Sequence, residues 1–475
     1  MQVRCSSSSA GEAVPQVLQI EQLVDEQQFG RFNIMLLLWS FLAMLADGYD
    51  ISALASAAPQ LARTWHLAAK AFAPALSASL FGILLGAPIL GYMGDRLGRK
   101  NAIIAGSVVY GLGTLALVWA TNLDQMVFLR LFSGIGIGGL MPNTVALNSE
   151  LAPKRLRAML IVLMFTGITA GGSIPGHVQA WLIPRYGWQI MFWIGGLAPL
   201  AVAACLGYSL PESVKYLASR PRRHSELVAT VRRLRRDLPI DQDALFVIAP
   251  APHAGGSGLP QILGGALTWV TPMLWVCFAS ALMANYFLNS WLPLIFENSG
   301  LTATQSGMAT SCYYYGGTLG GLLVSLVLGR YGFAAVVILF LCAAPAIAAI
   351  GLPGVSFVSV ASTVTLAGLC TLGAQFGNNA ASGLIYPTPF RSRGVGWALG
   401  IGRFGSVFGP LLGGLLIGMR LPVQRLFVLA AVPMVVGLLA AVGVARLCYL
   451  RLGSLQLDDM AEPVPPAPAV AESPR

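Results

Sequence analysis

Apolar stretches of about 20 residues recur along the chain, each followed by a short polar turn. They lie near 32–60, 71–93, 101–121, 125–149, 158–181, 188–210, 268–296, 304–328, 333–351, 355–385, 395–418 and 424–447. A helix needs about 20 apolar residues to cross a bilayer. The pattern therefore predicts an all-α membrane protein with twelve transmembrane helices. Three polar segments frame them. Residues 1–30 read as a polar tail with a short amphipathic stretch. Residues 211–267 form a long loop between helices 6 and 7, and 451–475 form a Pro-rich disordered tail. The run Arg232, Arg233, Arg235, Arg236 in the loop predicts a helix facing solvent or lipid headgroups.

The second helical half repeats the first. At an offset of 234, Pro59 meets Pro293, Gly82 meets Gly316, Gly86 meets Gly320, Arg96 meets Arg330 and Gly98 meets Gly332. At 236, Asn143 meets Asn379, Pro153 meets Pro389, Arg155 meets Arg391 and Arg157 meets Arg393. Chance supplies one or two such matches, not nine at nearly one offset. The chain is thus expected to hold two six-helix units, 31–210 and 268–450. Parallel repeats of this kind build transporters, with the substrate between the halves near the midplane.

Composition narrows the class. Of 475 residues, 56% are hydrophobic and 10% charged, and mean hydropathy is +0.71. Soluble proteins carry about 25% charged residues, and one soluble core stops growing near about 250–300 residues. A soluble enzyme, a nucleic-acid module and a disordered protein are excluded. The net charge of +10 is not a nucleic-acid signal, because its placement follows the membrane. With both termini inside, 22 of the 29 lysines and arginines fall in inside segments and five outside, while Arg130 and Arg403 lie within helices. A multi-pass inner-membrane protein with both termini cytoplasmic is expected. The N-terminus has no apolar core typical of a cleaved signal peptide. The seven scattered cysteines show no CxxC spacing and read as small apolar filler. No metal site and no cofactor is expected, and no nucleotide-binding loop is present to supply ATP energy.

Charged and polar groups at membrane depth are the functional candidates, since each is costly there. In helix 1, Asp47-Gly48-Tyr49-Asp50 sets two carboxylates on one face. Two acids this close in low dielectric cannot both ionise cheaply, so one is expected to hold a proton near neutral pH. Glu150, ending helix 4, is a third proton candidate or a partner of Lys154 or Arg155. Arg403 in helix 11 offers a planar fork suited to a carboxylate. Arg130 in helix 4 needs a partner or a wet cavity, or else snorkels to the outer interface. Tyr49, Asn143, Asn285, Asn289, Gln375, Asn379 and Tyr314 complete the candidate substrate-binding set. Between helices 2 and 3, Gly91, Asp95, Arg96, Gly98 and Arg99 form a tight charged turn suited to latching the cytoplasmic side. In the second half Gly329 stands where its acid would be.

These motifs carry a family resemblance. The 91–100 turn resembles the signature loop of the major facilitator superfamily, and Arg130-x-x-x-Gly-x-Gly-x-Gly138 resembles a second motif of its proton-coupled members. Asp47-Gly-Tyr-Asp50, the stretch from Arg130 to Glu150, and Tyr386-Pro387-Thr388 through Gly394-Val-Gly-Trp397 to Arg403 resemble the aromatic acid:proton symporters, over about 24–447. The resemblance implies proton-driven uptake of benzoate-like, hydroxybenzoate-like or protocatechuate-like anions. It implies transport roles for Asp47, Asp50, Asp95, Arg130 and Arg403. The expected partners are a small aromatic carboxylate, protons and the lipid bilayer. A sugar or other organic-solute porter of the same fold is one rival, and a non-transporting membrane sensor another.

Overall fold

The computed structural model describes residues 17–235, 237–247, 262–352, 356–386 and 391–452. Arg4, Cys5, Arg236, His253, Pro387, Thr388, Pro389, Arg475 and the tail from residue 453 lie outside the described residues, so the expectations placed on them are not tested here.

Twelve long helices follow the hydropathy pattern. They are α1 (Arg31–Thr64), α2 (Ala73–Leu97), α3 (Arg99–Ala116), α4 (Leu123–Leu151), α5 (Lys154–Trp181), α6 (Gln189–Ser209), α7 (Val270–Asn298), α8 (Ala303–Tyr331), α9 (Ala334–Ala349), α10 (Phe357–Ile385), α11 (Arg391–Gly418) and α12 (Val423–Leu450). Eleven are long and apolar enough to cross a membrane; α9, at 16 residues, is the shorter one. α4 is interrupted at Gly139.

The repeated glycines explain themselves in the packing. A Cβ at Gly82 or Gly86 would strike the carbonyl oxygens of Leu131 and Ile135, so α2 and α4 touch backbone to backbone. At Gly316 and Gly320, α8 meets the carbonyl oxygens of Thr365 and Leu369 on α10 in the same way. Matched sequence positions thus serve matched helix contacts in the two halves, where small residues permit close approach.

The described parts of the first two polar segments form regular structure. Val17–Gln19 pairs in parallel with Leu245–Val247. The short helix Ile20–Asp25 and the helix His224–Leu234 bury Ile20, Leu23, Val24, Leu227, Val228 and Val231 in a common apolar cluster. The arginine run meets the solvent-facing expectation at Arg232 and Arg233, which are exposed on the helix, and corrects it at Arg235, just past the helix end. Arg235 is buried and pairs with Asp237 at 2.9 Å and Glu26 at 3.3 Å, while Arg232 donates to the Ile240 carbonyl at 2.6 Å. The N-terminal segment and the central loop therefore form one cap on the face that carries the termini.

The halves meet mainly toward the opposite face. There Arg63 of α1 pairs with Glu297 of α7 at 2.8 Å, and Gln179 of α5 donates to the same carboxylate at 2.9 Å. Ser311 of α8 donates to the Ser173 carbonyl of α5 at 2.8 Å, and Gly176 and Gly307 lie backbone against backbone. Toward the terminal face the helices separate. A cleft of about 440 Å³ opens between Leu84 of α2 and Gly396, Trp397 and Gly400 of α11. On α10, Gln375, Asn379 and Gly383 are partly exposed along one i, i+4 stripe. The contacts between the halves given above thus lie toward the opposite face, and the partly exposed α10 stripe borders the space between the halves on the terminal side, the candidate vestibule.

Candidate transport site

The two acids of α1 have different surroundings. Gly48 lets α1 lie directly on the Ile168 carbonyl of α5, which fixes the rotation of the Asp47–Asp50 segment. Asp50 is fully enclosed. Its Oδ1 meets Arg130 Nη1 at 2.7 Å, its Oδ2 accepts from Ser79 Oγ at 3.3 Å, and Arg130 Nη2 reaches the Asp50 carbonyl at 3.4 Å. Both side chains are at most 3% exposed. Arg130 therefore does not snorkel to the interface. Its charge is compensated in place, as a buried charge requires.

Asp47 is also buried, at 6% exposure, but makes no hydrogen bond or ion pair among the described residues. Its charged neighbours are Arg403 of α11 and Asp50. Arg403 is half-buried, with Nη2 3.5 Å from the Met141 sulfur of α4 and its guanidinium beside Tyr286 of α7. A thioether is a weak acceptor. The guanidinium thus keeps strong donors for another ligand. A cation of one half faces an acid of the other, and the two do not pair directly.

The second half supplies a polar wall. Tyr313 donates to Asn285 Oδ1 at 2.7 Å, and Asn285 Nδ2 donates to Gln375 Oε1 at 3.0 Å. Thr371 lies 2.8 Å from the Tyr313 hydroxyl. Tyr314 donates to Asn289 Oδ1 at 2.7 Å, and Asn289 Nδ2 crosses to the Ile51 carbonyl of α1 at 3.2 Å. Tyr314 and Asn289 thus tie the halves together above the vestibule.

Three candidates lie elsewhere. Tyr49 turns into the first half, where its hydroxyl donates to the Met191 carbonyl at 3.0 Å. Asn143 is fully buried and donates to the Leu90 and Gly139 carbonyls at 3.0 and 2.8 Å. Its Oδ1 accepts from Arg99 at 3.4 Å. Glu150 joins the same group: it pairs with Arg99 at 3.6 Å and accepts from Ser213 rather than from Lys154 or Arg155. Asp95 completes it, 2.5 Å from Arg99. Arg96 lies over the Tyr92 ring, and its carbonyl accepts from Arg220 at 2.7 Å. Around Gly91 the space is open. Of the predicted gate residues, Asp95 and Arg99 thus join Asn143 and Glu150 in one network, while Arg96 and Gly91 lie outside it.

Sequence reading missed several members. Glu212 is buried and accepts from the Lys100 and Ser213 backbone amides at 3.0 and 2.9 Å, so it caps the start of α3. Gly98 makes the junction possible. Its φ of 106° and ψ of 148° suit glycine alone, and a Cβ there would strike the Glu212 carboxylate. Gly98→Ala is expected to destabilise the protein by about 1–3 kcal/mol. A lowered melting temperature in detergent would show it; an unchanged one would mean the turn can rearrange. Ser79, Tyr286 and Thr371 carried no distinguishing signal. Glu297 did: it is the only acidic residue between 268 and 450.

Comparison with known proteins fits this architecture. A family model of the Major Facilitator Superfamily matches residues 40–272 and 274–451. The gallate transporter of Pseudomonas putida is 33% identical over 433 residues, covering 90% of this chain and 96% of the relative. The 4-hydroxybenzoate transporter PcaK of the same species is 32% identical, covering 92% and 97%. The benzoate transport protein of Acinetobacter baylyi is 30% identical, covering 89% and 91%. Among solved structures, the xylose transporter XylE from E. coli in a partially occluded inward-open conformation superposes with a TM-score of 0.68 at 15% identity, covering 87% of this chain and 97% of that one. A bacterial homologue of the human lysosomal transporter Spinster gives 0.63 at 17%, covering 92% and 100%. These last two speak for the fold.

Proposed function

The chain belongs to the Major Facilitator Superfamily, and we propose that it takes up small aromatic carboxylates together with protons across the bacterial inner membrane. It is a multi-pass membrane transporter and not an enzyme. The observation that carries the reading is Arg403, a half-buried guanidinium that faces Asp47 across the halves and has no carboxylate bonded to it among the described residues. A bidentate fork in low dielectric suits a carboxylate ligand. Its charged neighbour Asp47 supplies an acid that can hold a proton where the anion binds. Relatives named for gallate, 4-hydroxybenzoate and benzoate support an aromatic cargo.

The halves move, on this reading, by alternating access. Both termini and the central loop are cytoplasmic, from the distribution of lysine and arginine, so the vestibule opens inward. Opening outward requires the Arg63–Glu297–Gln179 contact to break. Arg63→Gln should therefore raise the reactivity of a cysteine placed at Ser311 toward a membrane-impermeant thiol reagent added outside. Unchanged labelling would remove the contact from the gate.

Proteoliposomes holding the purified protein test the function directly. An inward proton gradient should drive accumulation of labelled 4-hydroxybenzoate or benzoate, and a protonophore should abolish it. Accumulation of xylose but of neither acid would favour a sugar porter, and accumulation of none would favour a sensor.

A further inference from the structure

We infer that the site selects ring-hydroxylated aromatic acids over the unsubstituted acid, and that Gln375 reads the hydroxyl. The inference rests on the reading that Arg403 holds an aromatic carboxylate.

Gln375 stands on the partly exposed stripe of α10 that faces the vestibule. One end of its amide is fixed. Asn285 bonds its Oε1 at 3.0 Å, Tyr313 bonds Asn285 at 2.7 Å, and Thr371 lies 2.8 Å from Tyr313. Thr371 is in turn 2.7 Å from the Ala367 carbonyl of its own helix. Such a chain of bonds uses the polar groups of a buried wall to orient one side chain at its edge. The other end of the Gln375 amide has no partner among the described residues. One turn along, Asn379 Oδ1 is buried without a partner as well.

A donor and an acceptor thus sit about one helical turn apart on one wall, where i and i+4 side chains are neighbours. A hydroxyl is the small group that both accepts and donates. It would accept from Gln375 Nε2, and it could donate to Asn379 Oδ1, buried one turn along, once the Asn379 side chain turns that atom outward. Turning the amides over exchanges the two roles, and a hydroxyl suits that arrangement equally.

The carboxylate fork is near enough to cooperate. Asn285 bonds Gln375, while its chain neighbour Tyr286 lies beside Arg403. Adjacent residues of α7, on faces about 100° apart, therefore contact the two subsites. An unsubstituted ring covers the free end of the Gln375 amide and returns no bond. Leaving such groups unpaired is what lets a hydrogen-bonding site reject an analogue lacking the hydroxyl.

The test compares 3- and 4-hydroxybenzoate with benzoate as substrates of the full-length protein in proteoliposomes. The wild type should favour at least one hydroxy acid by about tenfold or more in apparent affinity. Gln375→Leu, close in volume, should abolish the preference, weakening the hydroxy acid and, because no amide is then left unpaired beneath the bare ring, holding benzoate at least as tightly as before. Gln375→Asn should restore part of the preference. Equal affinity for all three acids in the wild type would overturn the inference alone. So would a Gln375→Leu variant that weakens every acid alike, since that is the mark of a structural role. Uptake of none of the three would overturn the carboxylate reading first, and this inference with it. Retained benzoate uptake shows that the variant has folded; if Gln375→Leu does not reach the membrane, Asn379→Leu replaces it with the same expected and overturning outcomes.

Discussion

Replacing Arg403 with lysine is expected to weaken substrate binding by roughly 30-fold or more. Lysine keeps the charge but offers a point donor in place of a planar fork. Arg403 meets only the Met141 sulfur and the neighbourhood of Tyr286 within the protein, so its main work is left for a ligand. Losing one partner of a buried charged hydrogen bond costs about 2–5 kcal/mol, and each 1.4 kcal/mol is about tenfold in affinity. Counterflow exchange should suffer along with net uptake, because both need the anion bound. Equilibrium binding of labelled 4-hydroxybenzoate to the purified variant measures the effect. Unchanged affinity would take Arg403 out of the binding site. A folding defect is separable, since lysine keeps the positive charge that faces Asp47 and strands no buried acid.

Much of this fold was legible in the sequence because membrane helices announce themselves. A helix in lipid must satisfy its backbone internally and present apolar side chains, so each span is written as a local run. The Gly82/Gly316 and Gly86/Gly320 matches were legible too, since close helix contact tolerates almost no other residue. What sequence could not supply was rotation. Tyr49 sits between the two acids of α1, yet it points into the first half toward Met191. Asn143 reads as a polar group at membrane depth, yet it spends its bonds on Leu90, Gly139 and Arg99. Which face of a helix meets the vestibule depends on its neighbours' packing, and that is not local information. The cap on the terminal face was hidden for another reason. Its strands are three residues long and more than 200 residues apart, too short and too distant for a periodic signal. Glu297 is the instructive omission. A single acid in a half that otherwise has none is a conspicuous signal, and the structure pairs it across the halves with Arg63.

The two acids of α1 should separate cleanly under mutation. Asp50 is held by Arg130 on one carboxylate oxygen and by Ser79 on the other, and its role is tied to that pair. Removing one partner of a buried pair strands the other charge and costs about 3–5 kcal/mol. Asp50→Asn and Arg130→Gln should therefore each lower the melting temperature sharply, while the double change, which strands nothing, should recover much of it. Asp47 has no such partner. It faces Arg403 across the halves, where a bound substrate anion would compete with its own charge for the same guanidinium. A proton on Asp47 relieves that competition, so anion and proton enter together. Asp47→Asn makes the relieved state permanent. The variant should fold normally, bind 4-hydroxybenzoate at least as well as the wild type, and exchange it in counterflow. It should fail to concentrate the acid against its gradient, because no proton then accompanies each cycle. Accumulation measured with and without an inward proton gradient decides the matter. An Asp47→Asn variant that still concentrates substrate would move the proton to Asp50. If the Asp47→Asn, Asp50→Asn double variant also concentrates it, Glu150 is next, despite its bonds to Arg99 and Ser213.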